Sequence, residues 1–284
     1  MDKFAAKTGE CKMKWDVKTI RLAFIGSGFM AQAMLRGLVR SGTVPPEHMG
    51  VVNPVDPETC ARLSREYGVL AAEPEWLRQA DVIFFAVKPQ TFPEACQMYG
   101  KYFTADKLYL TIMAGVSCAA VEAATGNAAV VRFMPNLALS VQKSATAYCL
   151  GKHAGEEEAA LAQALFSPLG VVARLPEAQL SAVTALSGSG PAYFYLLCEA
   201  MIESAAADGM NRETARALTV QTLEGAAALI AFSGESPTEM RRRITSKKGT
   251  TEAGVAALEE AGFSWAVRAG YLAARRRSDE LGKQ

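Results

Sequence analysis

Residues 20–31 read Ile20-Arg-Leu-Ala-Phe-Ile-Gly-Ser-Gly-Phe-Met-Ala31, an apolar run that breaks at Gly26-Ser27-Gly28 and gives way to a helical pattern from Met30 to Arg40. In this strand-turn-helix setting the Gly-x-Gly-x-x-Ala spacing has a physical reading. Gly26 permits the tight turn, Gly28 lets the backbone approach a pyrophosphate, and Ala31 is small enough for close helix-strand packing. The free N–H groups at the helix start then face an anion. The stretch predicts the first βα unit of a dinucleotide-binding domain, with Gly26, Ser27, Gly28, Phe29 and Met30 as cofactor-binding candidates.

Working outward, further apolar runs occur at 50–52, 82–87, 108–113, 129–134, 145–150 and 171–173, separated by helical patterns. Continuous apolar runs between helices mean strands buried on both faces, hence a mainly parallel sheet in a doubly wound α/β domain. After Pro176 no strand-like run appears, and the punctuation is helical. Pro191 suits a first helical turn and Gly209 a stop. Asn211 can cap the next helix, which ends at Gly234, and Ser236-Pro-Thr-Glu239 is a capping box. Ser264 can cap the last helix, whose basic cluster Arg275 to Arg277 suits the negative dipole end. The uncharged stretch 178–198, broken by Ser187-Gly-Ser-Gly-Pro191, reads as a buried helix-loop-helix rather than a membrane anchor. So many alanines in a small helical region predict surface buried in a second copy, hence a homodimer.

Composition narrows the chemistry. Half of the 284 residues are hydrophobic, which describes a folded chain. The 30 basic and 29 acidic residues nearly cancel, so neither a nucleic-acid partner nor a membrane partner is expected. With only His48 and His153 in the chain, a histidine triad or multi-histidine metal site is excluded, and no metal is expected. The six cysteines are scattered without a CxxC, as in reduced thiols of a cytoplasmic protein.

The second strand ends in Val52-Asn53-Pro54-Val55, where an NAD site usually carries an acidic residue. A neutral Asn53 does not repel a 2′-phosphate, so the reading favours NADPH with NADH as the alternative. Arg62 and Arg65 on the following helix either approach that phosphate or form an exposed face. Ala86-Val87-Lys88-Pro89 closes the next long strand at the ligand-binding edge, where Lys88 is either a cofactor contact or a surface lysine. Small residues at Ala114 and Gly115 leave space for a nicotinamide ring. The segment 243–254 reads as a loop entering a helix near Thr250. Such a loop is either a carboxylate seat of clustered N–H groups or a plain connection with a threonine cap.

These motifs, with Arg-Phe-Met-Pro-Asn at 132–136, Thr-Ala-Leu-Ser-Gly-Ser-Gly-Pro-Ala-Tyr at 184–193 and Thr-Ser-x-x-Gly-Thr-Thr at 245–251, resemble the pyrroline-5-carboxylate reductase family over nearly the whole chain. The charged first residues, which contain no apolar stretch, read as a flexible leader at 1–18, and the change of pattern sets a Rossmann-type domain at 19–175 and an all-α domain at 176–284, which the resemblance makes the NADP-binding domain and the dimerisation and substrate-binding domain. The resemblance implies NADPH-dependent reduction of 1-pyrroline-5-carboxylate to L-proline, the last step of proline biosynthesis, in a homodimer that can assemble further, for example to a decamer. By carry-over, Thr251 is the catalytic candidate, its hydroxyl reaching the ring nitrogen. The N–H groups of Gly249 and Thr250 would hold the carboxylate, and Ser246, Lys248 and Glu177 complete the substrate-binding set. Lys247 and Lys248 stand where the family has proline and glycine, and Leu137 where it usually has threonine. A glycine at 248 implies positive φ or close approach, which a lysine would strain or obstruct. The alternatives are a reductase of a related cyclic imine or keto acid, and a non-catalytic NADP-binding regulator.

Overall fold

The computed structural model describes residues 15–282; most of the expected leader, residues 1–14, lies outside them. The described part of the leader belongs to the fold. Trp15 is buried in the core and donates its indole N–H to Glu158 Oε1 at 3.3 Å. The chain divides into two compact units, one of residues up to Gly188 joined by those from Arg277, the other Ser189–Arg276. That break falls later than the 175/176 boundary expected from the strand pattern.

The first unit contains strands β1 (Leu22–Ile25), β2 (Met49–Val52), β3 (Leu70–Ala71), β4 (Val82–Phe85), β5 (Leu108–Thr111), β6 (Ala129–Met134), β7 (Ser144–Leu150) and β8 (Gly170–Arg174). They form one sheet in the order β3-β2-β1-β4-β5-β6-β7-β8, parallel except where β6 meets β7. Its helices are α1 (Phe29–Ser41), α2 (Pro57–Tyr67), α3 (Phe92–Tyr99), α4 (Cys118–Ala124), α5 (Glu156–Phe166) and the single turn α6 (Leu180–Val183). All seven expected strands are present. The added β3 is an exposed two-residue edge, too short for an apolar run to mark.

The alternating side chains of each strand feed two separate cores, which is why the runs are continuously apolar. Leu22, Phe24, Val51, Val82, Phe84 and Leu110 pack with Met34, Leu35 and Leu38 of α1. Ala23, Ile25, Val52, Ile83, Phe85 and Tyr109 pack on the other face with Phe92, Ala95 and Tyr99 of α3.

The second unit is helical: α7 (Gly190–Ala207), α8 (Arg212–Ser233), α9 (Pro237–Ile244), α10 (Thr250–Glu260) and α11 (Phe263–Leu281), the last crossing the unit boundary. Asn211 accepts hydrogen bonds from the N–H groups of Glu213 and Thr214, Gly234 ends α8 in the left-handed region, and Ser236 and Glu239 close the capping box. The last helix differs from expectation. Gly262, at φ +80°, makes the turn, so α11 starts at Phe263 with Ser264 already inside it. The stretch 178–198 also differs, because Thr184–Gly188 is a π-helical turn rather than a loop, and Phe194, Tyr195 and Leu196 of α7 are exposed in the single chain. No single helix among the described residues is long and apolar enough to cross a membrane; α8 and α9 reach that length and composition only together, with a bend of 118° between them.

Candidate functional site

The sheet order reverses between β1 and β4, and open α/β sheets bind ligands outside the carboxyl ends of strands at such a switch point. A cleft of about 530 Å³ lies there, lined by the ends of β1, β2 and β4 and by one face of α3. Of the expected cofactor residues it brings together Gly26, Ser27, Gly28, Asn53, Ala86, Val87 and Lys88. Phe29 and Met30 open α1 beside it, Phe29 exposed, while Pro54 and Pro89 follow the lining residues in their turns. Ala114 and Gly115 lie beyond the end of β5 and do not line the cleft. The sequence reading missed Thr91, Glu94, Ala95, Met98 and Tyr99. Their i, i+3, i+4 spacing after the β4 strand was the available signal.

The turn has the form that the glycines require. Gly26 has φ +105°, and a Cβ there would meet the Ala86 carbonyl oxygen at 2.8 Å. At Gly28 the same atom would find only that oxygen, at 4.0 Å, so the backbone is open to a ligand. The orphan N–H groups of α1 begin here, with no side chain capping them. Gly115, at φ +80°, lies so close to the Leu281 carbonyl that a Cβ would meet its oxygen at 2.6 Å.

Asn53 is positioned by the first turn: its Nδ2 donates to Ser27 Oγ at 2.8 Å. Gln32 Nε2 donates to the Ser27 carbonyl at 2.8 Å, and Arg62 donates to Gln32 Oε1 at 2.8 Å and to Glu66 at 3.0 Å. Arg62 is thus held against the start of α1, while Arg65 is an exposed side chain of α2. Asp56, the late acid after β2, caps α2 by accepting the Thr59 N–H at 3.1 Å, and this hydrogen bonding holds its carboxyl below the usual range. The cleft therefore accepts a dinucleotide: glycine turn, helix N-terminus, space at the switch point and Lys88 as a positive charge on its lining.

The second candidate segment lies in the helical unit. Gly249 is the N-cap of α10, and its N–H donates to the Ser246 carbonyl at 2.9 Å. It is thus already engaged, contrary to the expectation that it is free for a carboxylate. Thr250 and Thr251 occupy the first helical turn, where N–H groups have no helical acceptor, so neither is the threonine cap of a plain connection. Lys248 has φ +63°, and its N–H donates to Glu252 Oε2 at 2.7 Å. The strained backbone expected at this position is present, held by the carboxylate of the following turn.

Glu177 sits in the first unit. Its Oε1 accepts the Cys118 N–H at 2.8 Å and Arg132 at 2.8 Å. Asn136 donates to the Ser187 carbonyl at 3.1 Å, and Leu137 is exposed at the start of the next turn.

A family model described as pyrroline-5-carboxylate reductase dimerisation matches residues 177–281, and one described as NADP oxidoreductase coenzyme F420-dependent matches residues 21–115. The chain is 35% identical over 267 residues to pyrroline-5-carboxylate reductase 2 of Bacillus subtilis, covering 93% of this chain and 96% of that protein. It is 38% identical over 272 residues to pyrroline-5-carboxylate reductase of Pseudomonas aeruginosa, covering 94% and 99%. Among solved structures, the pyrroline-5-carboxylate reductase of Coxiella burnetii is similar with a TM-score of 0.84 at 32% identity, covering 94% of this chain and 100% of that one. The pyrroline carboxylate reductase of Plasmodium falciparum with NADP bound gives 0.83 at 25% identity, covering 93% and 99%.

Proposed function

The chain belongs to the pyrroline-5-carboxylate reductase family, and on that premise we propose that it reduces 1-pyrroline-5-carboxylate to L-proline with NADPH in preference to NADH. The observation that carries this reading is the match to curated reductases along nearly the full length of both chains. The glycine turn, open at Gly28, agrees with it.

The reaction needs a hydride at the imine carbon and a proton at nitrogen. The bound nicotinamide supplies the hydride. If the substrate arrives as an iminium ion, no strong base is required, and the protein contributes orientation and charge placement. In our reading Gly26, Ser27, Gly28, Phe29 and Met30 seat the pyrophosphate. Asn53, Ala86, Val87 and Lys88 line the adenosine side, with Pro54 and Pro89 in the turns beside them; Ala114, small and beyond the end of β5, leaves room for the nicotinamide, next to Gly115, whose own small size admits Leu281. The neutral Asn53, with Arg62 held beside α1, supports the preference for a 2′-phosphate. Thr250 and Thr251 offer N–H groups to the carboxylate, while the Thr251 hydroxyl positions the ring nitrogen. A threonine hydroxyl is a poor acid, so positioning is its first role. Gly249, with its N–H turned onto Ser246, shapes this seat; Ser246 and Lys248 flank it, and Glu177 belongs to the substrate set through Arg132.

The dimerisation match and the exposed apolar side chains of α7 and α8 support a homodimer, with a decamer as a higher form. The free thiols among the described cysteines support the cytoplasm. The test is NADPH oxidation at neutral pH with pyrroline-5-carboxylate and the full chain, proline being identified as product and NADH run in parallel. Turnover with NADPH favoured is expected; a folded, NADPH-binding protein that ignores this imine, or prefers a keto acid, overturns the reading.

A further inference from the structure

Two buried thiols in the first unit have no part in the reaction above. Cys118 is the first residue of α4 and Cys149 lies near the end of β7; their sulfurs are 3.6 Å apart although the residues are 31 positions apart in the chain. Arg132 is the direct cross-strand neighbour of Cys149, which puts both side chains on one face of the sheet. The guanidinium is anchored by Glu177, whose same oxygen holds the Cys118 N–H, and Arg132 Nε is buried with no hydrogen-bond partner.

Two charges face the pair from the same side: the Arg132 guanidinium favours a thiolate, and the Glu177 carboxylate that holds it opposes one at least as strongly. The hydrogen bond between the two sulfurs, with burial adding, pushes the Cys118 thiol up. The same hydrogen bond lowers Cys149 against the effects of burial and of Glu177, so Cys149 is the more acidic sulfur of the two. We propose that Cys118 and Cys149 are a redox dithiol, closed to a disulfide by a hydroperoxide and reopened by a thiol reductant.

The chemistry balances. The Cys149 thiolate attacks the peroxide; the O–O bond breaks, an S–O bond forms, and the alkoxide or hydroxide released takes up a proton. The Cys118 sulfur then attacks the sulfenic acid, the S–S bond forms, and the hydroxyl leaves as water with the Cys118 proton. Two thiols lose two electrons and the peroxide gains them.

Closing the pair brings the sulfurs from 3.6 Å to about 2 Å. Strand β7 is fixed by β6 and β8 on its two sides, so the movement falls on the start of α4 and on Gly115-Val116-Ser117 before it. The two sulfurs and a Glu177 oxygen also lie within 4.8 Å of one another, as ligands of a metal ion would. A dication there would face Arg132 and would have to take a carboxylate oxygen that already accepts two hydrogen bonds, so the arrangement suits thiol chemistry better.

The test treats the full chain with hydrogen peroxide, alkylates it after denaturation and maps the peptides by mass. A Cys118–Cys149 cross-linked peptide is expected, lighter by two hydrogens and lost on adding dithiothreitol, with no other pairing among the cysteines. In Cys118→Ser, dimedone should trap Cys149 as the sulfenic acid; should that variant not fold, the wild-type map decides alone. Both thiols still alkylatable in peroxide-treated folded protein, or a different pairing, overturns the proposal. So does stoichiometric zinc that protects both sulfurs. Because the readout is chemical, a failure of the reductase assay does not touch it.

Discussion

The sheet unit and the helical unit bury their apolar residues in different ways. Every residue of β1, β2, β4 and β5 is buried, each strand sandwiched between two layers of helix. In the helical unit only Gly190 of α7, and Ala215 and Thr219 of α8, are buried, while Leu196, Leu218 and Phe232 stand exposed, Phe232 by 92%. An isolated chain does not leave that much apolar surface in water without a use for it. One unit completes its core within a single chain, and the other has the surface of an assembly; substitutions in the two should therefore fail differently.

The largest expected effect lies on the helices. Leu196→Glu should convert the assembly to monomers in analytical ultracentrifugation while NADPH binding survives; an unchanged sedimentation coefficient would mean that α7 faces solvent in the assembly. Next is Gly26→Ala, which puts a side chain at φ +105° and a Cβ 2.8 Å from a backbone oxygen. With strain of about 1–3 kcal/mol at the turn, NADPH affinity by calorimetry should fall at least about tenfold with the oligomer intact. Thr251→Val removes a hydroxyl at nearly constant volume. It should lower kcat/KM for the imine about tenfold, the worth of about one hydrogen bond, and leave the Kd for NADPH unchanged. The smallest effect is at Lys248, which sits at φ +63°. Lys248→Gly relieves roughly 1 kcal/mol of left-handed strain but adds chain entropy of similar size, so Tm should move little. A rise in KM alone would assign the lysine's charge to the substrate carboxylate, whereas a fall would mean that it obstructs the site.

The legibility of the two regions also differs. The strands could be read because burial on both faces forces uninterrupted apolar runs, and β3 escaped because two exposed residues carry no pattern. The caps at Asn211 and Ser236 were readable because a cap is a local bargain between a side chain and the N–H groups two or three residues ahead. Ser264 misled for the same reason: it has the chemistry of a cap, but Gly262 had already made the turn. At the cleft, residues 26–28 and 86–88 announced themselves through turn geometry and strand ends, whereas the face of α3 is ordinary helical sequence until the sheet order puts it beside the switch point.

What the sequence determined by itself was whatever a few neighbouring residues decide through their own backbone: the Gly26-Ser-Gly28 turn, the strand periodicity and the helical second half. Tertiary structure alone decided which distant groups meet. The antiparallel pairing of β6 with β7 sets Arg132 beside Cys149. The parallel pairing of β1 with β2 brings their ends together, so that Asn53 reaches Ser27. Backbone propensity acts over a few residues and leaves its mark on the local sequence. A hydrogen bond or a thiol contact between segments tens of residues apart depends on register and packing, which no single segment encodes.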